Sequence, residues 1–338
     1  MNRTENVHVL VYVDDMLISA NTVEHVQRFK DEFRKNFDSV DLGELKWYLG
    51  MSVERTQSEI TISQSLFIAD MLVKFGLKNA SRIDSPAAEL RLAPIETESE
   101  IAKDVPYREL AGTLMWISVG TRPDIAQSVS AVCRFVEQPS RSHWNACKRI
   151  AKYLKGTAEK KLAYPANGSL ELIGYADADW GGDYSRKSTS GYVFTINGVP
   201  VSWASQLQKS VAMSSAEAEY CAGCSAALDA VYLRNLLHDL GEPQLKPTPL
   251  YQDSQPAIEI AKNPIKHKVA KHIDIRVHKL RELVRDKVVE LKYLETNKMP
   301  ADILTKPLGP NKFKEIRELM MPNNQLSEGG VLEYHQVD

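Results

Sequence analysis

Four acidic residues in the second half of the chain have positions from which their side chains could act together. Each lies where a predicted strand ends or a predicted helix starts: Asp177, Glu219, Asp253 and Asp302. Strand ends and helix starts of this kind can converge at one edge of an α/β sheet. Four carboxylates meeting there would hold two Mg²⁺ ions about 4 Å apart and drive hydrolysis of a phosphodiester. Any one acid alone would be a helix cap or an exposed charge, so the prediction depends on all four.

Neighbouring acids compete with members of this set. Ser214 and Glu217 have the spacing of a capping box, which gives Glu217 a structural role and leaves Glu219 free for chemistry. On a helix, residues 217 and 219 point about 200° apart, so both cannot easily serve one metal pair. Asp179 shares the strand parity of Asp177 but lies nearer the loop. It remains an alternative that supports the metal ligands from outside.

A second acidic site, Asp14-Asp15, separates two apolar runs near the start of the chain, at residues 7–13 and 16–18. The pattern predicts a β-hairpin with these two residues as its tight turn. Adjacent carboxylates beside buried strands are costly unless a cation neutralises them, and Mg²⁺ prefers such hard oxygen ligands. The alternative is a solvated turn, because Asp is common in turns.

Residues 262–287 form a basic stretch that also contains three histidines. We interpret it as a surface that contacts the phosphate backbone of a nucleic acid. The alternative is an ordinary solvated helix face. The residues predicted to bind nucleic acid here are Lys268, Lys271, His272 and Arg276.

Predicted helices and strands must position these residues. After the hairpin, apolar spacing predicts helices near residues 26–37, 66–75, 107–119, 123–136 and 142–155, and a short strand or hairpin at 45–53. The acidic segment 81–106, with three prolines, has the composition of a linker. From residue 170 a different pattern begins, with the order β-β-β-α-β-α-α-β-α. Strands are predicted at 172–178, 191–196, 199–203, 210–213, 250–252 and 288–294, with Asn197-Gly198 as a hairpin turn and a long helix at 215–240. This order fits an α/β (α+β) fold with a mixed sheet flanked by helices.

The composition excludes several classes of protein. The 338 residues are 43% hydrophobic and 25% charged, with a formal net charge of -2. These values argue against an intrinsically disordered chain and against a polycation that holds nucleic acid by net charge alone. No apolar run reaches the roughly 18 residues that a membrane span needs, so we expect no membrane partner. The first residues are too polar for a secretory signal, and four cysteines fit a reducing compartment.

Longer motifs occur in a definite order along the chain. They are Tyr12–Ile18, Asp41–Gly50, Tyr107–Leu110 with Thr121–Ile125, Gly174–Trp180, Lys187–Tyr192, Ser214–Tyr220, Lys271–Arg276 and Ala301–Lys306. From about residue 7 to about 320, the chain resembles the C-terminal part of the Pol polyprotein of copia-type LTR retrotransposons. The first motif is similar to a reverse-transcriptase palm, the second to a primer grip, and the third to a thumb and connection. The other motifs are similar to a ribonuclease H.

This resemblance implies a division of the chain. An incomplete reverse-transcriptase palm and connection would precede a ribonuclease H-like domain with a mixed five-stranded sheet flanked by helices. The implied parts are a palm fragment with the primer-grip region (1–80), a linker or irregular connection (81–106), a helical thumb/connection segment (107–167), the ribonuclease H-like domain (168–308), and a C-terminal helix and loose tail (309–338).

The resemblance also implies roles for the acids. The four dispersed acids fall where that family has its metal-binding acids, with Asp274 competing with Asp302 for the fourth place. The implied reaction is hydrolysis of the RNA strand of an RNA–DNA hybrid with two Mg²⁺ ions, for which Mn²⁺ could substitute. The hybrid would be recognised by its shape, phosphates and 2′-OH groups. The other implied partner is the remainder of a Pol polyprotein, in the cytoplasm within a virus-like particle, or in the nucleus. The alternative is a catalytically silent relic or a non-enzymatic nucleic-acid-binding protein.

The palm motif assigns Asp14 and Asp15 as metal ligands by the same resemblance. The family's polymerase has another metal-binding Asp on an upstream strand, and fingers that hold the template and the incoming nucleotide. This chain begins at the palm hairpin. Asp14 and Asp15 would then lack their third carboxylate partner, and we expect that this chain alone does not polymerise DNA.

Overall fold

A computed structural model describes residues 6–87, 92–97, 100–262 and 274–321, with the side chains of residues 274–277 outside the description. Within these residues the strands form three sheets, of two, four and five strands. In the five-stranded sheet, Asp177 lies within one strand and Asp253 directly follows another, and helices pack on both faces of the sheet. None of the described helices combines the length and the apolar character that a membrane crossing requires.

The two-stranded sheet is the N-terminal hairpin. It pairs β1 (Val7–Tyr12) with β2 (Asp15–Ala20) and is followed by α1 (Val23–Arg34). Because Tyr12 pairs with Asp15, the turn consists of residues 13 and 14. The prediction that Asp14 and Asp15 form the turn was therefore wrong by one residue. Apolar residues continue up to residue 13, so the pattern alone does not fix the register of the pairing.

The four-stranded antiparallel sheet joins distant parts of the chain. It contains β3 (Trp47–Tyr48), β4 (Met51–Arg55), β5 (Glu59–Ser63) and β6 (Leu162–Pro165). The sequence predicted a short strand or hairpin over the first two strands and missed β5 and β6. Residue Glu59 pairs with Pro165, about a hundred positions later, so nothing local marks this pairing.

Four helices build the core beside this sheet. They are α2 (Ser65–Lys74), α3 (Tyr107–Gly120), α4 (Ala126–Cys133) and α5 (Arg141–Gly156). Apolar side chains at helical spacing, such as Leu110 and Leu114 of α3 and Ile150 and Leu154 of α5, are fully buried in it. The helix predicted over 123–136 is divided, with a 3-10 turn at Pro123–Ile125 before α4.

The five-stranded sheet confirms the predicted mixed sheet. Its strands are β7 (Leu172–Asp179), β8 (Thr189–Ile196), β9 (Val199–Leu207), β10 (Thr248–Gln252) and β11 (Val289–Tyr293), in the order β11-β10-β7-β8-β9. The strands β7, β8 and β9 are antiparallel neighbours, whereas β10 runs parallel to both β7 and β11.

Two local predictions for this sheet had opposite outcomes. The Asn197-Gly198 hairpin turn is confirmed, with φ angles of 52° and 74° that suit this pair of residues. The strand predicted at residues 210–213 was wrong, since these described residues form no strand. The backbone of Ala212 instead accepts a hydrogen bond from the indole of Trp180, which holds the segment against the end of β7.

The sheet is sandwiched between two helical layers. One layer consists of α6 (Ser215–Asp239), α7 (Gln255–Lys262) and α8 (Asp274–Arg285), which share a core with Ala176 and Phe194. The neighbouring residues Tyr175 and Val193 point the other way, into the core built by α3, α4 and α5. This alternation is the period of a strand that is buried on both faces. A 3-10 helix (Pro300–Leu304) and α9 (Pro310–Met320) complete the second layer.

Candidate metal centre

The topology of the sheet brings three of the predicted acids to one edge. Asp177 lies near the end of β7, and Asp253 follows the last residue of β10. Because β7 and β10 are parallel neighbours, their carboxyl ends meet at the same edge. Glu219 lies in the first turns of α6, which begins beside this edge.

These three acids, the three-acid cluster, converge closely enough to share a cation. One carboxylate oxygen from each of Asp177, Glu219 and Asp253 lies within 4.8 Å of the other two. Glu219 Oε1 accepts a hydrogen bond of 3.2 Å from the backbone N–H of Ala178, which orients the carboxylate. Its Oε2 atom is buried and has no hydrogen-bond partner among the described residues. A buried oxygen without a partner is costly, and a bound cation would satisfy it. The donor set therefore fits a divalent metal ion.

Burial and mutual repulsion disfavour the ionised form of these acids. Burial raises the pKa of Asp177 to about 7, and the nearby carboxylates of Asp302 and Asp253 add to this effect. Burial and the charges of Asp177 and Asp253 raise the pKa of Glu219 to about 9. A divalent ion among the three carboxylates would reverse this tendency, because it favours their charged forms.

Asp302 reaches the site from the other layer of the fold. It lies in the 3-10 helix that crosses β8 at Gly191, and Gly191 is the strand partner of Asp177. A Cβ atom at Gly191 would lie 2.7 Å from Thr305 Cγ2 and 2.8 Å from Leu304 Cβ. The absence of a side chain at this glycine thus lets the 3-10 helix approach the acids.

Thr305 and Lys306 join Asp302 to the three-acid cluster. The hydroxyl of Thr305 donates a hydrogen bond of 2.5 Å to Asp177 Oδ2. The ammonium of Lys306 lies 2.8 Å from Asp302 Oδ1 and 4.0 Å from Asp177 Oδ2. Burial lowers the pKa of Lys306, but the charges of Asp177 and Asp302 outweigh it and the net shift is upward. Asp274, the predicted competitor of Asp302, has its side chain outside the described residues.

Further contacts fix the positions of the acids. Gln252, the fully buried last residue of β10, donates a hydrogen bond of 2.9 Å to the backbone oxygen of Glu219. It can approach because Gly223 has no side chain, and a Cβ atom there would lie 2.8 Å from Gln252 Oε1. Thr296 donates a hydrogen bond of 2.7 Å to Asp253 Oδ2.

The sequence did not single out the residues that hold the acids in place. Thr305 and Lys306 belong to the motif Ala301–Lys306, but a motif names its members without saying which of them touch the acids. The spacing of Lys306, four residues after Asp302, was the available signal.

Of the neighbouring acids, Glu217 has the predicted structural role at the start of α6. Ser214 Oγ accepts a hydrogen bond of 3.2 Å from the backbone N–H of Glu217 and so caps α6. Glu217 Oε2 in turn accepts a hydrogen bond of 2.8 Å from the backbone N–H of Met213, one residue before the position that a capping box uses. Asp179, at the end of β7, adds negative charge to the surroundings of Lys306.

The remaining predicted site residues do not join this centre. Asp14 and Asp15 are exposed at the tip of the hairpin, and within the described residues no third acid comes near enough to share a metal with them. The residues predicted to bind nucleic acid cannot be compared with the structure. Lys268, Lys271 and His272 lie outside the described residues, and so does the side chain of Arg276.

Comparison with known proteins assigns the chain to a family. Residues 2–89 match the family model of reverse transcriptases, described as RNA-dependent DNA polymerases. Over 322 residues, 92% of this chain, it is 41% identical to a retrovirus-related Pol polyprotein from transposon TNT 1-94 of Nicotiana tabacum. It also covers 73% of a putative transposon Ty5-1 protein of Saccharomyces cerevisiae, at 31% identity over 228 residues, 66% of this chain. The chain belongs to the Pol polyproteins of copia-type retrotransposons.

This Pol chain spans about a quarter of the length of the tobacco polyprotein, 24%. The reverse-transcriptase match covers its hairpin, α1, the strands β3 to β5 and α2. Among solved structures, an RNase H1 named LC11, isolated from compost by a metagenomic approach, is 17% identical with a TM-score of 0.33, covering 40% of this chain and 94% of that one. The fold class follows from the order and directions of the five strands.

Proposed function

We propose that the five-stranded domain of this Pol chain hydrolyses the RNA strand of an RNA–DNA hybrid with the help of two divalent metal ions. The observation that carries this proposal is the three-acid cluster, whose oxygens lie within 4.8 Å of one another. The buried, unpartnered Oε2 atom of Glu219 supports it, since a cation is the partner that such an oxygen lacks among the described residues.

The four carboxylates would form the two sides of the centre, each of which binds one ion, with Asp177 belonging to both. Asp177, Glu219 and Asp253 would hold one ion, and Asp177 with Asp302 would hold the other. Bound divalent ions activate a water molecule and stabilise the leaving oxygen of a phosphodiester. The donors are all hard carboxylate oxygens, which suit Mg²⁺, with Mn²⁺ as a substitute. Thr305 and the backbone N–H of Ala178 would keep Asp177 and Glu219 oriented toward the ions.

The choice of substrate follows from the neighbouring domain. A reverse transcriptase copies RNA into DNA, and the product of that reaction is an RNA–DNA hybrid. A nuclease in the same polyprotein that removes the RNA strand would clear the DNA for further copying. The hybrid would be recognised by its shape, its phosphates and its 2′-OH groups. The basic residues predicted to contact its backbone are Lys268, Lys271, His272 and Arg276.

A cleavage assay on a labelled hybrid tests this proposal. The chain should cut the RNA strand when Mg²⁺ is present and not when EDTA removes it, and Asp177→Asn or Glu219→Gln should abolish cutting. Glu217→Gln is the matched control, because Glu217 lies two residues from Glu219 on the same helix but bonds to Met213. This variant should retain cleavage.

The result also separates the enzyme from its alternative. Cleavage that survives both active-site substitutions would come from another protein and would overturn the proposal. Salt-dependent binding of the hybrid by a folded chain that does not cut it would support a non-enzymatic nucleic-acid-binding protein instead.

We further propose that this chain by itself does not polymerise DNA. The support is the position of Asp14 and Asp15 at an exposed hairpin tip, without a third acid nearby in the described residues. Polymerases transfer phosphoryl groups with metal ions held by several carboxylates. Template-directed nucleotide incorporation by the purified chain would contradict this proposal.

A further inference from the structure

Lys306 places a positive charge inside the candidate metal centre. Its ammonium lies 2.8 Å from Asp302 Oδ1 and 4.0 Å from Asp177 Oδ2, and its side chain is 33% exposed. Both carboxylates are almost completely buried. Such acids repel each other across a medium that screens poorly, so a cation between them lowers the free energy of the metal-free fold.

The two sides of the centre differ in the way they are filled. On one side, the three-acid cluster includes the buried Glu219 Oε2 atom, which has no partner among the described residues. On the other side, Asp302 Oδ1 is also buried without a well-aligned hydrogen bond among the described residues, but the ammonium of Lys306 lies 2.8 Å from it and provides a positive charge next to Asp177 and Asp302. The three-acid cluster can therefore accept a metal ion directly, whereas the space next to Asp177 and Asp302 already contains the ammonium of Lys306.

A divalent ion entering the second side would meet this like charge. Two positive charges a few ångströms apart repel strongly at the effective dielectric of a partly buried site. Lysine has a long flexible side chain, and one that is one-third exposed can swing its ammonium out to water. Binding of an ion between Asp177 and Asp302 would thus require Lys306 to leave.

We propose that Lys306 is a positioning residue that holds Asp177 and Asp302 together before metal binding and is displaced by the second ion. The two ions then bind in order, first at the three-acid cluster and then between Asp177 and Asp302. Binding of the second ion is the step that Lys306 regulates. This inference rests on the proposed function for the nature of the ions.

Counting bound Mn²⁺ tests the inference without any substrate. Free Mn²⁺ is measured by electron paramagnetic resonance during titration of the full chain in the absence of nucleic acid. The wild-type chain should bind one ion tightly and a second more weakly. Replacing the cation by a neutral side chain of similar length, Lys306→Met, should strengthen binding of the second ion by about tenfold or more. Lys306→Arg keeps the charge and should keep the second site weak.

Two results of the same titration would contradict the displacement of Lys306 by the second ion. Two ions bound with the same affinities in the wild-type and Lys306→Met chains, or one ion in both, would contradict it. Lys306→Gln takes the place of the Met variant if that variant fails to fold, with the same expected result. Because ion binding is measured without hydrolysis, a chain that does not cut a hybrid can still satisfy this test, and one that cuts it can still fail.

Discussion

At the residue scale, the buried acids of the metal centre resist ionisation. Asp177 and Glu219 have pKa values raised from 3.8 and 4.5 to about 7 and about 9, mainly by burial. At a pH between the ordinary pKa and the raised pKa of each acid, the native chain holds a proton that the unfolded chain releases. The stabilising contribution of both groups is therefore complete below about pH 4 and is lost as the pH rises through 7 and 9.

The metal-free chain should accordingly become less stable as the pH rises from 5 to 9. Glu219→Gln removes the group with the larger shift, so its free energy of unfolding should fall less over this range, by at least about 1 kcal/mol. Urea unfolding in EDTA at several pH values measures the difference. Glu242→Gln, at an exposed position, is the control and should follow the wild-type curve. A Glu219→Gln curve that is as steep as the wild type would contradict the burial of this carboxylate.

Thr305 should matter through its hydroxyl group. Thr305→Val keeps the shape of the side chain but removes the 2.5 Å hydrogen bond to Asp177. Because hydrogen bonds to charged groups contribute about 1.5–3 kcal/mol, we expect kcat/KM for hybrid cleavage to fall about tenfold or more. Thr305→Ser retains the donor and should restore most of the rate. Equal losses in the two variants would contradict a role for the hydroxyl, because Thr305→Ser retains this donor and Thr305→Val does not.

The sequence could predict the acids but not their supports. Asp177, Glu219 and Asp253 have the residue type of metal ligands and lie at the ends of recognisable elements, and the structure brings them together. The roles of Thr305 and Lys306 depend on where a 3-10 helix crosses a strand. That crossing is a tertiary contact, and no local pattern encodes it.

At the element scale, the crossing of the 3-10 helix over β8 depends on Gly191. In Gly191→Ala, the new Cβ atom would lie 2.7 Å from Thr305 and 2.8 Å from Leu304, so the 3-10 helix must shift. We expect the free energy of unfolding to fall by about 1–3 kcal/mol, as in other overpacked cores. Hybrid cleavage should fall at least about tenfold, because Thr305 and Asp302 move with the helix.

Gly112→Ala is the matched control for this substitution. Gly112 lies within α3, and a Cβ atom there would have no described atom within 4 Å, so alanine should raise stability by up to about 1 kcal/mol. Urea unfolding and the cleavage rate compare the two variants. Full activity in Gly191→Ala would show that the close approach is not needed.

Elements defined by local chemistry were predictable, and those defined by distant pairing were not. The Asn197-Gly198 turn carries its own backbone preference, which the structure confirms. The strand β6 has four residues and ends at Pro165, and it gains its partner β5 from about a hundred residues earlier. Nothing within such a short segment distinguishes it from a loop.

At the scale of the whole molecule, a buried ion pair connects the helical layer with α9. Arg122 donates hydrogen bonds of 2.8 and 2.7 Å to the two carboxylate oxygens of Asp124, and both side chains are fully buried. Tyr153 of α5 donates to Asp124, and Arg317 of α9 donates to the Tyr153 hydroxyl at 3.3 Å. Because α9 follows the 3-10 helix with Asp302, this network anchors the segment that completes the metal centre.

Breaking this network should destabilise the molecule strongly. Asp124→Ala leaves the Arg122 guanidinium buried without its carboxylate, and such losses cost about 3–5 kcal/mol. The exposed pair Arg141–Asp104 provides the control, since Asp104→Ala should cost less than about 1 kcal/mol. Chemical denaturation of the two variants measures the difference. Similar losses would mean that burial of the Arg122 pair contributes little.

The class of the fold could be predicted from the order of the elements, since three successive strands after residue 170 are followed by helices with single strands between them. The dependence of the five-stranded sheet on the preceding helices could not be predicted. Tyr175 and Val193 of the sheet share one core with α3, α4 and α5, and this sharing appears when residues far apart in the chain are packed together.

Cleavage of a hybrid labelled on both strands distinguishes a ribonuclease specific for the RNA strand from a chain that does not cut nucleic acid. With the wild-type chain and Mg²⁺, we expect that the RNA strand is cut and the DNA strand stays intact, and that Asp177→Asn or EDTA stops the cutting. A folded chain that leaves both strands intact would contradict the proposed function, and so would cutting that persists in the Asp177→Asn chain.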